Sequence, residues 1–160
     1  MEKVPMTVEG HAALKEELNR LKSVDRHQIS KEIGVAREHG DLRENAEYHA
    51  AKDKQGLIEA RIVEIEDKLA RAEVIDTSRL NGARVAFGAW VTLADVDNET
   101  EVTYRIVGAD EADLDRGTIS VTSPMARAMI NREVGDEVRV KAPGGVRTYE
   151  VVTIRWTLDS

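Results

Sequence analysis

The chain has no cysteine among its 160 residues. This absence excludes disulfide bonds, thiol catalysis and zinc sites built from thiolates, so the fold must be stabilised by packing. Aromatic residues make up only 4% of the chain, which argues against an aromatic-lined β-sandwich throughout. No apolar run approaches the roughly 18 residues of a membrane span, and the first residues form no apolar leader. We therefore expect a cytoplasmic protein without a membrane partner.

Basic residues are outnumbered, with 23 basic against 30 acidic side chains and a net charge of -7. A surface of this sign repels the phosphate backbone, which argues against bulk electrostatic binding to DNA or RNA. The length corresponds to one ordinary domain or two small ones, at roughly 150 residues per domain. A large multidomain enzyme is excluded.

Proline is absent between Pro5 and Pro124, and the residues from 8 to 73 are mostly strong helix formers. In the second part of this stretch, apolar and small residues recur at alternating steps of three and four, the spacing of a coiled-coil seam. The pattern predicts a helix over residues 44–75. Its seam residues are Ala51, Gln55, Ile58, Ile62, Ile65, Leu69 and Ala72.

A second apolar stripe precedes this one and predicts a first helix over residues 8–39. The stripe resumes about one residue out of phase after a polar interval, and we attribute the slip to a straight helix drifting from 3.5 toward 3.6 residues per turn. Two such helices with narrow stripes fold most simply into an antiparallel hairpin, with arms of roughly 45 Å at 1.5 Å per residue. The stripe consists of Leu14, Leu18, Leu21 and Val24, followed by Ile29, Ile33 and Ala36.

After residue 76 the pattern changes to period two, which is typical of strands. Ser123 and Pro124 open one short helix, as N-cap and first helical residue. The predicted fold class is therefore α+β, with a coiled-coil hairpin over residues 1–76 and a separate globular domain with an antiparallel sheet over residues 77–160. The expected strands are residues 89–93, 101–107, 118–121, 137–141 and 146–156.

The loop between the two helices carries two acids with two possible roles. In the structural interpretation, Gly40 ends the first helix, and Asp41 and Glu44 form a capping box for the second. In the functional interpretation, the same two carboxylates are ligands of Mg²⁺, which is commonly held by one or two carboxylates and several waters. A partner would have to complete such a site.

The loop sequence belongs to a set of short segments distributed along nearly the whole chain. These segments are residues 4–7, 40–52, 104–108, 119–124, 135–138 and 143–145. The Ser-Pro and Pro-Gly-Gly motifs among them are weak signals singly, but with the tip sequence behind a long helical arm they are highly specific. In order and spacing, the set resembles the transcript cleavage branch of the Gre family of bacterial transcription elongation factors.

The resemblance implies a carboxy-terminal domain similar to FK506-binding proteins, with an antiparallel sheet and one short helix. It implies that the coiled coil enters the secondary channel of bacterial RNA polymerase, where Asp41 and Glu44 help hold a catalytic Mg²⁺ shared with the polymerase. The protein would stimulate the polymerase's own cleavage of a backtracked transcript, not catalyse alone.

The resemblance also assigns roles to other tip residues. Arg37 and Lys52 match a basic patch that contacts the nascent RNA 3′ end, whereas the structural alternative is a solvated helix face. Leu42, Asn45 and Tyr48 are expected to pack the loop, and stacking of Tyr48 on a nucleotide is the alternative. Arg43, between the two acids, is a departure from the usual Ser or Lys, and its charge softens the local negative potential.

Three other functions stay open. The globular half alone is compatible with a prolyl isomerase or chaperone, although fold does not confer function. The regular seam is compatible with a structural coiled coil that pairs between chains, whereas we expect a monomer. An inhibitory relative would occupy the same channel without promoting cleavage, but would be expected to carry different tip acids.

Overall fold

The computed structural model describes residues 2–41, 45–78 and 80–157. The chain divides into two compact units, one of His11–Ala72 and one of Met1–Gly10 with Glu73–Ser160. The first ten residues therefore group with the C-terminal part. The predicted boundary at residue 76 had placed them with the hairpin. Strand β1 (Val4–Thr7) causes this difference, because it pairs with strand β2 (Ala72–Ile75) and fully buries Met6.

The helical unit is an antiparallel hairpin, as predicted. Its first arm consists of α1 (Val8–Arg20), a π-helical turn (Leu21–Asp25) and α2 (Arg26–Arg37), and its second arm is α3 (Ala46–Arg71). The second helix was expected to extend to residue 75, but its last predicted residues form β2. Their helical propensity is overridden by pairing with a strand almost 70 residues away in the sequence, which no local pattern reveals.

The π-helical turn accounts for the phase slip of the apolar stripe, so the predicted gradual drift was wrong. The backbone N–H of Arg26 donates to the carbonyl of Leu21, five residues back, which inserts one residue into the helical path. Val24, expected in the stripe, is 51% exposed because the turn carries it away from the seam.

The seam of the hairpin is narrow and apolar, and each fully buried aliphatic side chain in it contributes roughly 1.5–3 kcal/mol. Gln55, Leu69 and Ala72, also predicted in the seam, are only half-buried. The buried members are Leu14, Leu21, Ile29, Ile33 and Ala36 on the first arm and Ala51, Ile58, Ile62 and Ile65 on the second.

The globular unit is built on a five-stranded sheet in the order β5-β4-β3-β7-β6. Its strands are β3 (Trp90–Asp95), β4 (Glu101–Val107), β5 (Thr118–Ser120), β6 (Glu137–Ala142) and β7 (Gly145–Arg155). Three of these four pairings are antiparallel, as expected, but β4 and β5 pair in parallel. The connection between these two strands is ten residues long and contains a 3₁₀ turn at Leu114–Arg116.

The short helix α4 (Pro124–Met129) covers one face of this sheet. Ser123 is its N-cap, accepting a hydrogen bond from the backbone N–H of Ala126, with Pro124 in the first turn as predicted. The enclosed core is mainly aliphatic, and Tyr104, Tyr149 and Trp156 pack only at its margin. Within the described ranges, no helix is long and apolar enough to cross a membrane.

Candidate functional site at the tip of the hairpin

The end of α2 forms one side of the tip. The backbone N–H of Glu38 donates to the carbonyl of Val35 at 3.1 Å, and that of His39 donates to the carbonyl of Ala36 at 3.2 Å. Gly40 follows with a φ of +103°, a backbone conformation that glycine adopts without steric cost. Gly40 therefore ends the arm and turns the chain, close to its predicted role.

Asn45 forms the other side of the tip and is the N-cap of α3. Its Oδ1 accepts a hydrogen bond from the backbone N–H of Tyr48 at 3.0 Å, and its Nδ2 donates to the carbonyl of Ala36 at 2.5 Å. One side chain thus caps the second arm and joins it to the end of the first.

The predicted capping box was therefore wrong, because the N-cap of α3 is Asn45 and the helix begins at Ala46. Asn caps a helix as well as Asp does. The sequence contained this signal at Asn45, directly before a run of helix formers. The spacing of the two acids instead favoured Asp41 as the N-cap. Asp41 is consequently not the N-cap of the helix.

Asp41 is an exposed residue that follows the end of the first arm. It lines an open hollow of about 480 Å³ together with His39, Asn45, Ala46 and Glu47. Its carboxylate is a hard oxygen donor of the type that Mg²⁺ prefers, and the open hollow leaves space for the waters that this ion retains. The exposed position and the donor chemistry fit a partial Mg²⁺ site.

Leu42, Arg43 and Glu44 lie outside the described residues. The pairing of Asp41 with Glu44 as metal ligands is therefore a prediction that the structure does not test. Among the residues that the structure does describe, no group of three or more His, Cys, Asp or Glu side chains is placed to hold a metal ion. A complete site made by this chain alone is not present in those ranges.

The two predicted RNA-contacting cations lie on opposite arms. Arg37 is exposed at the last residue of α2, and within the described ranges its side chain makes no hydrogen bond or ion pair. Lys52 is exposed on α3, where its Nζ donates to Oε1 of Gln55 at 3.1 Å. Neither side chain is buried, so both are accessible to a ligand at the tip.

Aromatic and ionic contacts complete the tip. Tyr48 is half-buried and meets His49 edge to face, with ring centroids 5.6 Å apart. Its packing of the loop and its stacking on a nucleotide both stay predictions. Nε2 of His39 lies 3.7 Å from Oε2 of Glu47. That contact also joins the two sides of the tip. No pattern in the sequence indicates it, because the two residues are eight positions apart on different elements.

Comparison with known proteins identifies the family. A family model described as "Transcription elongation factor, N-terminal" matches residues 4–74, and one described as "Transcription elongation factor, GreA/GreB, C-term" matches residues 80–155. The chain belongs to the GreA/GreB family of transcription elongation factors. The boundary between the two matches falls near the division of the chain into two units at residues 72 and 73.

Individual members of this GreA/GreB family are similar over their full length. A protein of Hyphomonas neptunium named "Transcription elongation factor GreA" is 64% identical over 154 residues, which are 96% of this chain and 98% of the relative. Another of that name from Phenylobacterium zucineum is 60% identical over 156 residues, covering 98% of this chain and 99% of the relative. The similarity therefore includes the tip as well as both units.

Solved structures of Gre proteins are more distant. GreA factor homolog 1 (Gfh1) of Thermus thermophilus is 29% identical, with 96% of this chain and 99% of that chain covered and a TM-score of 0.44. The GreA/GreB factor of Nitrosomonas europaea is 19% identical, with coverage of 96% and 98% and a TM-score of 0.42. The family assignment rests on the sequence matches.

Proposed function

We propose that this transcription elongation factor acts in the cytoplasm on bacterial RNA polymerase by inserting its hairpin into the secondary channel. There it stimulates cleavage of the nascent RNA 3′ end in backtracked or arrested complexes. The observation that carries the proposal is the exposed position of Asp41 at the end of a hairpin whose two arms Asn45 joins. A long hairpin with an acid at its end is suited to delivering ligand oxygens into a site that another protein completes.

In this mechanism Asp41 and Glu44 supply part of the coordination of one Mg²⁺, and the polymerase supplies the rest. A bound Mg²⁺ would supply Lewis-acid stabilisation of charge at the scissile phosphate and would activate water. The contribution of the chain is to hold its two carboxylates in position, so that no reorganisation is needed during the reaction. The polymerase remains the catalyst.

Arg37 and Lys52 are proposed to contact the extruded RNA 3′ segment. Both lie within a few helical turns of the loop, one on each arm, and neither is buried. Contacts of a guanidinium and an ammonium with phosphate oxygens orient a strand without reading its sequence. Such contacts would hold the RNA end beside the metal.

The globular unit is proposed to bind the polymerase outside the channel. An arm of roughly 45 Å needs an anchor to define how far its tip penetrates, because misplacement of ligands by about 1 Å costs about 10² in rate. A single protein molecule would act on one polymerase, as expected for a monomer.

The proposal is tested by transcript cleavage in a stalled elongation complex, with wild-type protein and the variant Asp41→Asn/Glu44→Gln. The variant keeps the shape of both side chains but removes their charge, and we expect it to lower the stimulated rate by about 10² or more. Glu38→Gln is the matched control, since Glu38 is an exposed acid at the end of α2. It should cleave at the wild-type rate.

Binding is measured separately by competition of each variant with labelled wild-type protein for the polymerase. The double variant should compete as well as the wild type, because docking is assigned to the other unit. Cleavage by the double variant at the wild-type rate would contradict the metal role. Inhibition of cleavage by the wild-type protein would instead identify an inhibitory relative, and turnover of a proline peptide would favour the isomerase alternative.

A further inference from the structure

The first arm of the hairpin contains one residue more than a continuous seam needs. Leu14 and Leu21 are buried and seven residues apart, but the next buried residue is Ile29, eight residues after Leu21. A seven-residue repeat keeps a stripe on one side of a coiled-coil helix, so the eighth residue is an insertion. The π-helical turn Leu21–Asp25 absorbs it.

Ion pairs between the arms bracket this turn. Before it, Glu17 accepts two hydrogen bonds from Arg61, at 2.7 and 2.9 Å. After it, Arg26 donates two hydrogen bonds to Glu59, both at 2.8 Å. Bidentate pairs of this kind are among the more directional side-chain contacts. The first arm is thus fastened to α3 on both sides of a short segment whose backbone departs from the α-helix. From inside the segment, Lys22 makes a longer single contact with α3, 3.4 Å from its Nζ to Oε2 of Glu66.

A side chain of that segment also bonds to the backbone of the preceding helical turn. The hydroxyl of Ser23 donates to the carbonyl of Asn19 at 2.6 Å, a back-bond that is associated with bent helices. Sharp bends in helices also occur at π-helical insertions. Bending of the arm should therefore concentrate between the two ion pairs.

Two glycines weaken the helices on the tip side of this segment. Gly34 lies in α2 and Gly56 in α3, both exposed, and a Cβ built on either one would meet nothing within 4 Å. No steric requirement for glycine is therefore present at these sites. In an exposed helix interior, glycine is about 1 kcal/mol less favourable than alanine, so both positions lower the rigidity of the arms without a packing benefit.

We propose that the hairpin is built to bend, with the π-helical turn as the main flexure and the two glycines as secondary ones. The bend lets the tip half, residues 26–59, adjust its direction after the protein has docked. This inference rests on the proposed function, since the tip acids must reach ligand positions that another protein defines. If the arm bends, the acids can reach those positions even though the globular unit, and not the tip, determines where the protein docks.

The main test is deletion of Val24, which is exposed and lies inside the turn. The deletion restores a seven-residue spacing and allows a continuous α-helix, so we expect it to raise the Tm by about 2 °C or more. Amide hydrogen exchange over residues 21–26 should slow to the rate of the flanking turns. Stimulated cleavage should fall about tenfold, less than the ~10² that a 1 Å misplacement of reacting groups costs. Competition for the polymerase should not change.

Val24→Ala is the matched control, because it alters the same side chain but keeps the inserted residue. It should retain fast exchange in the turn and wild-type cleavage. A second stiffened variant, Gly34→Ala/Gly56→Ala, leaves the turn intact and keeps the proposal testable if the deletion does not fold. Its control is Ser30→Ala, an exposed position on α2 that raises helix propensity without removing a glycine.

The outcomes separate this inference from the proposed function. If wild-type protein fails to stimulate cleavage, the proposed function fails, while hydrogen exchange still decides whether the turn is a flexure. Exchange in the wild-type turn as slow as in the flanking helix would overturn the proposal. Full cleavage by stiffened variants with slowed exchange would overturn it as well.

Discussion

The side chain of Asn45 bonds to the main chain of both arms of the hairpin. Its Nδ2 donates to the carbonyl of Ala36 at 2.5 Å, and its Oδ1 accepts from the N–H of Tyr48 at 3.0 Å. The amide is suited to this position because it carries a donor and an acceptor on one planar group. The junction of the two arms at the tip therefore depends on a residue that is neither an acid nor a proposed metal ligand.

We predict that Asn45→Ala destabilises the hairpin by about 1–2 kcal/mol, because the cap of α3 and the bond to Ala36 are both lost. Asn45→Asp separates the two roles, since it keeps the capping oxygen but cannot donate to Ala36. It should lose less stability than Asn45→Ala in thermal unfolding followed by circular dichroism. Equal stability of wild type and both variants would contradict the bridging role.

Binding of Mg²⁺ to the free protein should be weak, with a Kd of roughly millimolar order, because two carboxylates leave the ion largely hydrated. Calorimetric titration of the isolated protein measures this directly. Asp41→Asn is the comparison, and it should abolish what little binding is seen. A micromolar Kd without polymerase would contradict a site shared between two proteins.

The hairpin should lose stability in acid. Hydrogen bonds from Arg61 to Glu17 and from Arg26 to Glu59 hold the pKa of each carboxyl below its ordinary value of 4.5, and Lys68 does the same for Glu64. A lowered folded-state pKa stabilises the fold above the unfolded-state pKa, and this contribution disappears as the pH falls through the folded-state value. The Tm of the helical signal should therefore be constant near neutrality and drop below about pH 4.5.

Glu17→Gln tests this assignment. The variant should be less stable at pH 7, on the order of 1 kcal/mol for a partly exposed bidentate pair, and its Tm should change less between pH 7 and pH 3. Glu16→Gln is the control, since Glu16 is an exposed neighbour with no ion pair in the described part of the chain. An unaltered pH profile in Glu17→Gln would show that other carboxyls cause the acid sensitivity.

Glu111 should be essential for the stability of the globular unit. Its carboxylate accepts hydrogen bonds from the backbone N–H of Thr7 at 2.7 Å, from that of Gly108 at 2.9 Å, and from the hydroxyl of Thr7. Glu111→Ala leaves these donors without their acceptor, at a cost of about 2–3 kcal/mol.

Urea unfolding measured by tryptophan fluorescence reports on this unit, because both tryptophans of the chain lie in it. Glu101→Ala is the control, at an exposed position of β4, and should shift the midpoint little. An unchanged midpoint for Glu111→Ala would show that these contacts contribute nothing to stability.

Local patterns in the sequence determined most elements of this protein. The seam spacing placed both arms of the hairpin, alternation placed the five main strands to within one or two residues, and Ser123 and Pro124 placed the start of α4. These features are encoded by neighbours in the chain, through side-chain periodicity and capping. The tip acids were likewise recognisable as a motif, whereas their role as metal ligands stays a prediction.

Tertiary structure decided what depends on residues far apart in the chain. Residues 72–75 are a strand because β1 is beside them, and β5 pairs in parallel with β4, which residue alternation alone does not indicate. Asn45 caps α3 in place of Asp41, in a position where its amide also reaches Ala36. The inserted residue in the first arm was visible as a phase slip. Its form as a π-helical turn followed only from packing against α3, because the buried stripe must face the partner helix on both sides of the insertion.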